Sequence, residues 1–188
     1  MTLEKLSISG AYLLTHKVFP DERGFFREWF KAEEIASIEK TFSVQQANYS
    51  KSKQWVIRGI HYTLAPRGQA KVVTCAHGAI VDVLVDLRVG SPTFLNVEYV
   101  EISEETGKVV YIPSGVGHGF IVLSTFASVV YLTSSEYDPR YEKAISPIDP
   151  ELGIAWPLPI DTHPIISKSD LGSPSLSGAL ESGNLPTL

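Results

Sequence analysis

The run Ala79-Ile-Val-Asp-Val-Leu-Val-Asp-Leu-Arg88 has the length and the β-branched composition of a single strand. Four more runs of this kind follow it, at residues 96–102, 108–112, 119–123 and 128–133. Clusters of turn-forming residues separate them at 89–92, 103–107 and 113–115. Short strands at such regular spacing indicate an all-β antiparallel sandwich or barrel. A jelly roll around one cavity fits the pattern best.

Helical signals are few, and the C-terminal part of the chain has a different composition. Only residues 31–39 form a convincing amphipathic helix. From about residue 145 the chain is rich in Pro and Ser, which disfavours a central strand. We expect an extended tail that wraps the barrel, with the last dozen or so residues loose. With no repeat, we expect a single domain over residues 1–188 with a core from about residue 7 to 175.

Composition and charge exclude several classes of protein. The 188 residues carry a net charge of -5, and basic residues are scattered among acidic ones, which argues against a nucleic-acid-binding protein. No apolar run approaches the roughly 20 residues of a membrane span, and no secretory signal is visible. Cys75 is the only cysteine, so an internal disulfide is impossible. We therefore expect a cytoplasmic protein.

The segment Arg58-Gly-Ile-His61 contains the first candidate for chemistry. On a regular strand, a spacing of three sends the side chains of Arg58 and His61 to opposite faces. A bulge at Gly59 would turn both towards one cavity. Three interpretations remain open from the spacing: a hydrogen-bonded structural pair, one group that faces solvent, or an anion site next to a base. Lys71, Asp82 and Tyr131 on other strands are candidates to join the third.

A metal site is the weaker hypothesis. Pro113-Ser-Gly-Val-Gly-His118 is similar to the second half of a metal-binding cupin motif. The first half lacks its histidines, since Tyr62 and Thr63 follow His61. One or two isolated histidines make a poor zinc or iron site. We therefore predict no metal.

Several short motifs, taken together, resemble the dTDP-4-dehydrorhamnose 3,5-epimerase family over about residues 7–171. In chain order they include Asp21-x-Arg-Gly-x-Phe26, Gln46-x-Asn-x-Ser50, Arg58-Gly-x-His61, Gln69-x-Lys71, Pro113-x-Gly-x-x-His118, Tyr131 and Ser167-x-x-Asp170. Each motif is weak alone, but their number and order are specific. The resemblance implies a cupin jelly roll (a double-stranded β-helix) with few short helices.

The family's reaction gives these residues implied roles. It converts dTDP-4-dehydro-6-deoxy-D-glucose to dTDP-4-dehydro-L-rhamnose by removing and returning protons at C3 and C5, which the C4 ketone acidifies. The resemblance implies His61 as the base, Asp170 behind it and Lys71 at the enolate oxygen. It implies Tyr131 as the proton donor, with a pKa that a cationic neighbour could lower. No cofactor is implied, because the ketone is the electron sink.

Substrate-binding positions and a homodimer are also implied by the resemblance. In this family the position of Arg23 reaches a neighbouring subunit's site. The tail departs from the family's usual Ser-x-Lys/Arg-Asp, because Lys168 precedes Ser169 here. The implied binding positions are Arg23, Phe26, Glu28, Gln46, Ala47, Asn48, Arg58, Lys71, His118, Tyr137, Glu142, Lys168 and Ser169.

Three alternatives to a double epimerase remain. One is a single-site epimerase at C3 or C5, since Thr63 departs from many rhamnose enzymes and such departures occur in relatives that make antibiotic sugars. Another is a non-catalytic cupin that binds a nucleotide sugar, against which the complete set of His61, Lys71, Tyr131 and Asp170 argues. The third is a metal-dependent cupin, for which the ligands are missing.

Overall fold

The computed structural model describes residues 1–188, and its main elements are short β-strands. The strands in chain order are β1 (Thr2–Lys5), β2 (Tyr12–Thr15), β3 (Val18–Asp21), β4 (Gly24–Arg27), β5 (Gln46–Lys53), β6 (Val56–Thr63), β7 (Lys71–His77), β8 (Ala79–Asp86), β9 (Val97–Ser103), β10 (Lys108–Ile112), β11 (Val116–Val122), β12 (Phe126–Thr133), β13 (Glu142–Ala144) and β14 (Ile165–Ile166). The helices are α1 (Ala32–Ile38), α2 (Lys168–Leu171) and α3 (Leu176–Glu181), with a 3-10 turn at Pro150–Leu152.

The strands form two sheets that pack face to face. The first has the order β1-β2-β10-β7-β12-β5, and the second has the order β13-β6-β11-β8-β9. Neighbours within both sheets are antiparallel, except that β14 runs parallel to β6. Spatial neighbours such as β7 and β12 are distant in sequence, because the chain crosses repeatedly between the sheets. This confirms the predicted all-β jelly roll. The hairpin β3–β4 stands apart from both sheets.

The position of strand β8 explains why residues 79–88 show no regular alternation of polar and apolar residues. Ile80 and Leu84 face the first sheet and join the core between the sheets. Val83 and Val85 face the other way and pack under the C-terminal tail. A strand covered on both faces is apolar on both faces. Asp82 therefore lies in the interior, between the two sheets, with 0% of its surface exposed.

The predicted amphipathic helix is present as α1 and covers the outer face of the first sheet. Ile35, on its inner side, is 2% exposed and packs in a cluster with Leu14, Val72 and Val109. Helix α1 has seven residues. No helix in the structure has the length and apolar surface that a bilayer crossing requires.

The tail wraps the second sheet, as expected, but its end packs instead of being loose. Leu176, Ala179 and Leu185 are buried in one cluster with residues of β6 and β8. The Tyr62 hydroxyl donates a hydrogen bond to the Asn184 carbonyl at 2.8 Å. The Val89 amide donates to the Pro186 carbonyl, also at 2.8 Å. The expectation failed because a composition rich in Ser and Gly hides the few apolar side chains that anchor this segment.

Candidate active site

A polar cavity of about 400 Å³ opens between the two sheets. This volume is within the usual range for a small-molecule site. One wall comes from β5, β7 and β12 of the first sheet, and the other from β6, β11 and β13 of the second. The lining residues are Gln46, Asn48, Ser50, Arg58, His61, Gln69, Lys71, His118, Gly119, Phe120, Tyr131, Tyr137 and Glu142.

The bulge predicted at Gly59 brings Arg58 and His61 to the same cavity. His118 of β11 pairs with His61 of β6, and Phe120 of β11 pairs with Arg58 of β6. The two pairs are two residues apart on β11 but three apart on β6, so β6 carries the extra residue of the bulge. Gly59 has φ +121, and a Cβ there would lie 2.6 Å from the Gly119 Cα. Only glycine allows both this backbone conformation and this close approach of the two strands.

His61 is held by a carboxylate from the tail. Nε2 of His61 lies 2.8 Å from Oδ1 of Asp170, and the two side chains are 40% and 10% exposed. Burial raises the pKa of Asp170, but hydrogen bonds with His61, Ser167 and the Gly59 backbone, together with the attraction to a protonated His61, hold the pKa below its usual value. Asp170 is therefore ionised at neutral pH and can only accept. In the neutral imidazole, this hydrogen bond places the proton on Nε2, which leaves the lone pair on Nδ1 for a ligand.

Lys71 presents a buried cation on the opposite wall. The residue is 5% exposed, and its ammonium makes no hydrogen bond or ion pair with the rest of the chain. Burial lowers the pKa of Lys71, and the charges of Glu142 and Asp82 oppose this only in part. A buried ammonium without a partner is well suited to an oxygen that carries or develops negative charge.

Tyr131 lies on the same wall, on the strand next to Lys71. Its pKa is raised: burial is the largest cause, Glu142 adds to it, and Arg58 opposes it more weakly. Arg58 is the cationic neighbour that was expected to lower this pKa, and it does act in that direction, but desolvation disfavours the phenolate more than Arg58 favours it. The phenol is fully protonated at neutral pH, and its hydroxyl has no partner in the chain.

The second wall also carries groups that suit an anionic ligand. Nε2 of His118 lies 2.6 Å from Oδ1 of Asp82, deep in the interior. Nε of Arg58 donates to the Ser52 hydroxyl at 3.0 Å, which leaves the terminal nitrogens of its guanidinium for a ligand. Glu142 lies at the edge of this wall and accepts a hydrogen bond from Thr63 at 2.8 Å.

Strand β5 supplies an alternating row of polar side chains. Gln46 and Asn48 face the cavity, as the family resemblance implies, and Ser50 continues the row, while Ala47 points to the exposed outer face. Ala47 can therefore reach a ligand only through its backbone. Ser50 and Gln69 line the cavity but were not among the predicted site residues. The alternation from residue 46 to 50 is the signal that would have identified Ser50.

Of the expected binding positions not yet described, Tyr137 lines this cavity and is 61% exposed. Arg23 and Phe26, on the β3–β4 hairpin, and Glu28, just after it, do not line the cavity of their own chain. The Arg23 side chain is 84% exposed and pairs with Asp21.

Lys168 and Ser169 are both exposed and do not line the cavity. The expectation of an extended tail does not hold at this point, because residues 168–171 form the helical turn α2. Ser167 caps this turn by accepting a hydrogen bond from the Asp170 amide at 3.0 Å. The turn therefore directs Asp170 towards His61 and leaves Lys168 and Ser169 on the outside.

No group of three or more His, Cys, Asp or Glu side chains in the structure is arranged to hold a metal ion. His61 and His118 are cross-strand partners, but each has its Nε2 bound to a different aspartate. Both carboxylates are thus already engaged with imidazoles.

The chain matches the family described as dTDP-4-dehydrorhamnose 3,5-epimerase over residues 5–178. It is 42% identical to a dTDP-4-dehydrorhamnose 3-epimerase of Streptomyces niveus, over 100% of this chain and 89% of the relative. It is 41% identical to a dTDP-4-dehydrorhamnose 3,5-epimerase of Mycolicibacterium smegmatis, over 100% of this chain and 92% of the relative.

A solved structure shows the same fold throughout. The 4-keto-6-deoxy sugar epimerase NovW, from the novobiocin biosynthetic gene cluster of Streptomyces spheroides, superposes with a TM-score of 0.94 at 41% identity. The match covers 100% of this chain and 93% of that one. The fold, the cavity between the sheets and the sequence match agree, and the chain belongs to the dTDP-4-dehydrorhamnose 3,5-epimerase family.

Proposed function

We propose that the chain epimerises dTDP-4-dehydro-6-deoxy-D-glucose at C3 and C5 and so makes dTDP-4-dehydro-L-rhamnose. The observation that carries this proposal is one cavity with a histidine–carboxylate pair on one wall and a lysine and a tyrosine without partners on the other. The family description and the names of the relatives support a dTDP-linked 4-keto sugar as substrate.

The first step is proton abstraction by His61. Nδ1 takes the proton from the carbon next to the ketone, and the electrons of the C–H bond move to form an enolate with its charge on O4. Asp170, at 2.8 Å from Nε2, keeps the imidazole in the required tautomer and stabilises the imidazolium that forms. The ketone accepts the electrons, so the reaction needs no cofactor.

Lys71 stabilises the enolate. Its ammonium is buried and has no other partner, so a hydrogen bond to O4 strengthens as negative charge develops there. Because the cation is already in place and desolvated, little reorganisation accompanies the transition state. Burial lowers the pKa of Lys71, and the charges of Glu142 and Asp82 favour the ammonium form that this role requires.

Tyr131 completes the inversion from the opposite face. Its hydroxyl donates a proton to the carbanionic carbon, and solvent then restores the phenol and removes the proton from His61. The raised pKa keeps the donor loaded with its proton throughout the neutral range. The same cycle at the second carbon completes the double epimerisation.

We assign binding roles to the remaining polar groups of the cavity. Arg58 and His118 face the diphosphate from the second wall, where a guanidinium and an imidazole offer several donors. Gln46 and Asn48 offer amides to the nucleotide and sugar from β5, and Ala47 offers its backbone. The exposed ring of Tyr137 at the mouth is placed to stack on thymine. Glu142 accepts hydrogen bonds from sugar hydroxyls.

We further propose a homodimer in which Arg23, Phe26 and Glu28 serve the cavity of the partner subunit. The β3–β4 hairpin lies outside both sheets and exposes Phe19, Phe25 and Phe26 at 44%, 42% and 65%. Such a cluster of aromatic residues is typical of a protein interface. In this arrangement Lys168 and Ser169 make at most peripheral contacts. We take residues 1–188 to be one domain, acting in the cytoplasm.

Incubation with dTDP-4-dehydro-6-deoxyglucose in D2O tests the main proposal. NMR is expected to show deuterium at both C3 and C5. Label at one carbon supports a single-site epimerase instead, which the 42% identity to a 3-epimerase makes the second candidate. Label at neither carbon refutes epimerisation of this substrate. His61→Ala should abolish exchange and retain dTDP binding, whereas the exposed control His163→Ala should change neither.

Subunit mixing tests the shared site. Arg23→Ala and His61→Ala proteins are each expected to be impaired alone. If the hairpin serves the partner, a mixed dimer contains one site with both residues intact, so random mixing restores about a quarter of the sites. No recovery after verified exchange of subunits, or a monomer by analytical ultracentrifugation, contradicts the shared site.

A further inference from the structure

The row of polar side chains on β5 contains one member without a partner. The Gln46 carbonyl accepts from the Tyr137 amide at 2.9 Å, and the Gln46 amide donates to Asn48 at 2.8 Å. Ser52, further along the strand, accepts from Arg58 at 3.0 Å. Ser50 lies between them and lines the cavity, but its buried Oγ has no hydrogen-bond partner.

A buried hydroxyl without a partner is uncommon and indicates a missing ligand or water. Rotation about χ1 moves a serine Oγ among three staggered positions, so a polar group in the cavity that Ser50 lines can draw the hydroxyl out of its unsatisfied position. Because a hydroxyl both donates and accepts, it suits a neutral polar group better than a phosphate or an enolate, for which Arg58 and Lys71 are available.

The position of Ser50 on β5 indicates that its hydroxyl contacts the sugar part of the ligand. Asn48 is the cross-strand partner of Tyr131, and Ser50 is two residues further along β5, opposite Val129. Residues two apart on a strand share a face, so Ser50 lies on the same wall as Tyr131 and close to it. The proton donor must contact the hexose ring, and a neighbouring hydroxyl therefore faces the same ring.

The chemistry of the substrate narrows the choice to one hydroxyl. In a 4-keto-6-deoxyhexose linked through O1, only C2 and C3 carry hydroxyl groups. C3 inverts during the reaction, so its hydroxyl changes direction, whereas the configuration at C2 is the same in substrate and product. A side chain fixed on a β-strand can keep one hydrogen bond through the cycle only with the group that does not invert.

We propose that Ser50 determines specificity by hydrogen-bonding the C2 hydroxyl of the hexose, which favours 2-hydroxy over 2-deoxy substrates. The proposal rests on the proposed function, because it takes a 4-keto sugar nucleotide as the ligand. A hydroxyl in the site rejects an analogue that lacks its partner, since the serine is then left unsatisfied.

The test compares two substrates, dTDP-4-keto-6-deoxyglucose and dTDP-4-keto-2,6-dideoxyglucose, in wild-type protein and in Ser50→Ala. For the 2-hydroxy substrate we expect kcat/KM for deuterium exchange to fall about fivefold to tenfold in the variant. For the 2-deoxy substrate we expect a change of about twofold or less. Ser128→Ala is the matched control, because this buried serine on β12 bonds Tyr49 at 2.8 Å and does not line the cavity.

Each outcome tests either the role of Ser50 or the proposed epimerase function. An equal fall for both substrates, or no fall for the 2-hydroxy substrate, overturns the role of Ser50. Ser50→Thr, which keeps the hydroxyl, should restore at least part of the preference and guards against a folding defect in the alanine variant. Failure of wild-type protein to exchange either substrate overturns the proposed function itself and is distinguishable from the other results.

Discussion

Replacing Asp170 by Asn keeps the shape of the side chain and removes its charge. The transition state makes an imidazolium on His61, whose Nε2 lies 2.8 Å from the carboxylate. Two unit charges about 4 Å apart interact by about 4 kcal/mol at an effective dielectric constant of about 20. Since the His61 side chain is 40% exposed, we discount this to about 3 kcal/mol for solvent screening. At about 1.4 kcal/mol per factor of ten, Asp170→Asn should slow proton abstraction by about 100-fold.

The assay is the rate of deuterium incorporation at C3 and C5 under saturating substrate, followed by NMR. Binding of dTDP, measured by calorimetry, should stay within about twofold of wild type, because Asp170 lies behind the imidazole and does not line the cavity. Exchange within about threefold of wild type would refute the assignment of Asp170 as the partner of the base. Weakened dTDP binding together with slow exchange would instead indicate collapse of the α2 turn.

Substitutions at three further positions give measurable predictions. Lys71→Met should reduce exchange by about 100-fold or more, because the enolate loses its buried cation. In wild type, burial lowers the pKa of Lys71, and the ammonium is lost as pH rises through that pKa. The alkaline fall of kcat/KM should therefore come at a pH below the usual lysine pKa. Tyr131→Phe should retain deuterium exchange at C3 but lose inversion, because His61 can return the proton only to the face from which it came; equal loss of both would move the base role to Tyr131. Asp86→Asn should reduce the difference in the free energy of unfolding between pH 7 and pH 3, measured by urea titration at each pH. Burial raises the pKa of Asp86, but hydrogen bonds from Arg88, Ser91 and Thr93 hold it below its usual value, so wild type has this stabilisation at neutral pH and loses it as pH falls through the folded-state pKa.

Strand patterns in the sequence predicted most of the fold because burial and β-branching are local signals. The run at residues 79–88 became β8, and residues 108–112 matched β10 at both ends. Gly59 was also informative, since a glycine between two polar residues three apart on a strand is a position where a bulge can turn both side chains to one cavity, and the register shift lies there. The end of the tail was not predictable in this way, because Leu185 is buried through contacts with strands more than 100 residues earlier.

The site was less predictable, because electrostatics depends on neighbours that the sequence does not place. The raised pKa of Tyr131 reflects desolvation and Glu142, and neither follows from the segment around residue 131. Ser50 was missed although it continues the alternation of Gln46 and Asn48 on β5, because its significance lies in a buried hydroxyl without a partner, which the sequence does not show. Arg23 and Phe26 do not line the cavity of their own chain, so the binding role expected of them rests on the proposed homodimer.

The proposed base and its aspartate come from two parts of the chain that are made at different times. His61 belongs to the barrel, and its aspartate arrives 109 residues later on a helical turn that is not part of either sheet. Both sheets have all their strands up to β13 by residue 144. During synthesis on the ribosome, these strands therefore emerge before both the carboxylate that pairs with His61 and the tail residues that cover β6 and β8. A chain that ended before residue 165 would contain His61 without its orienting carboxylate.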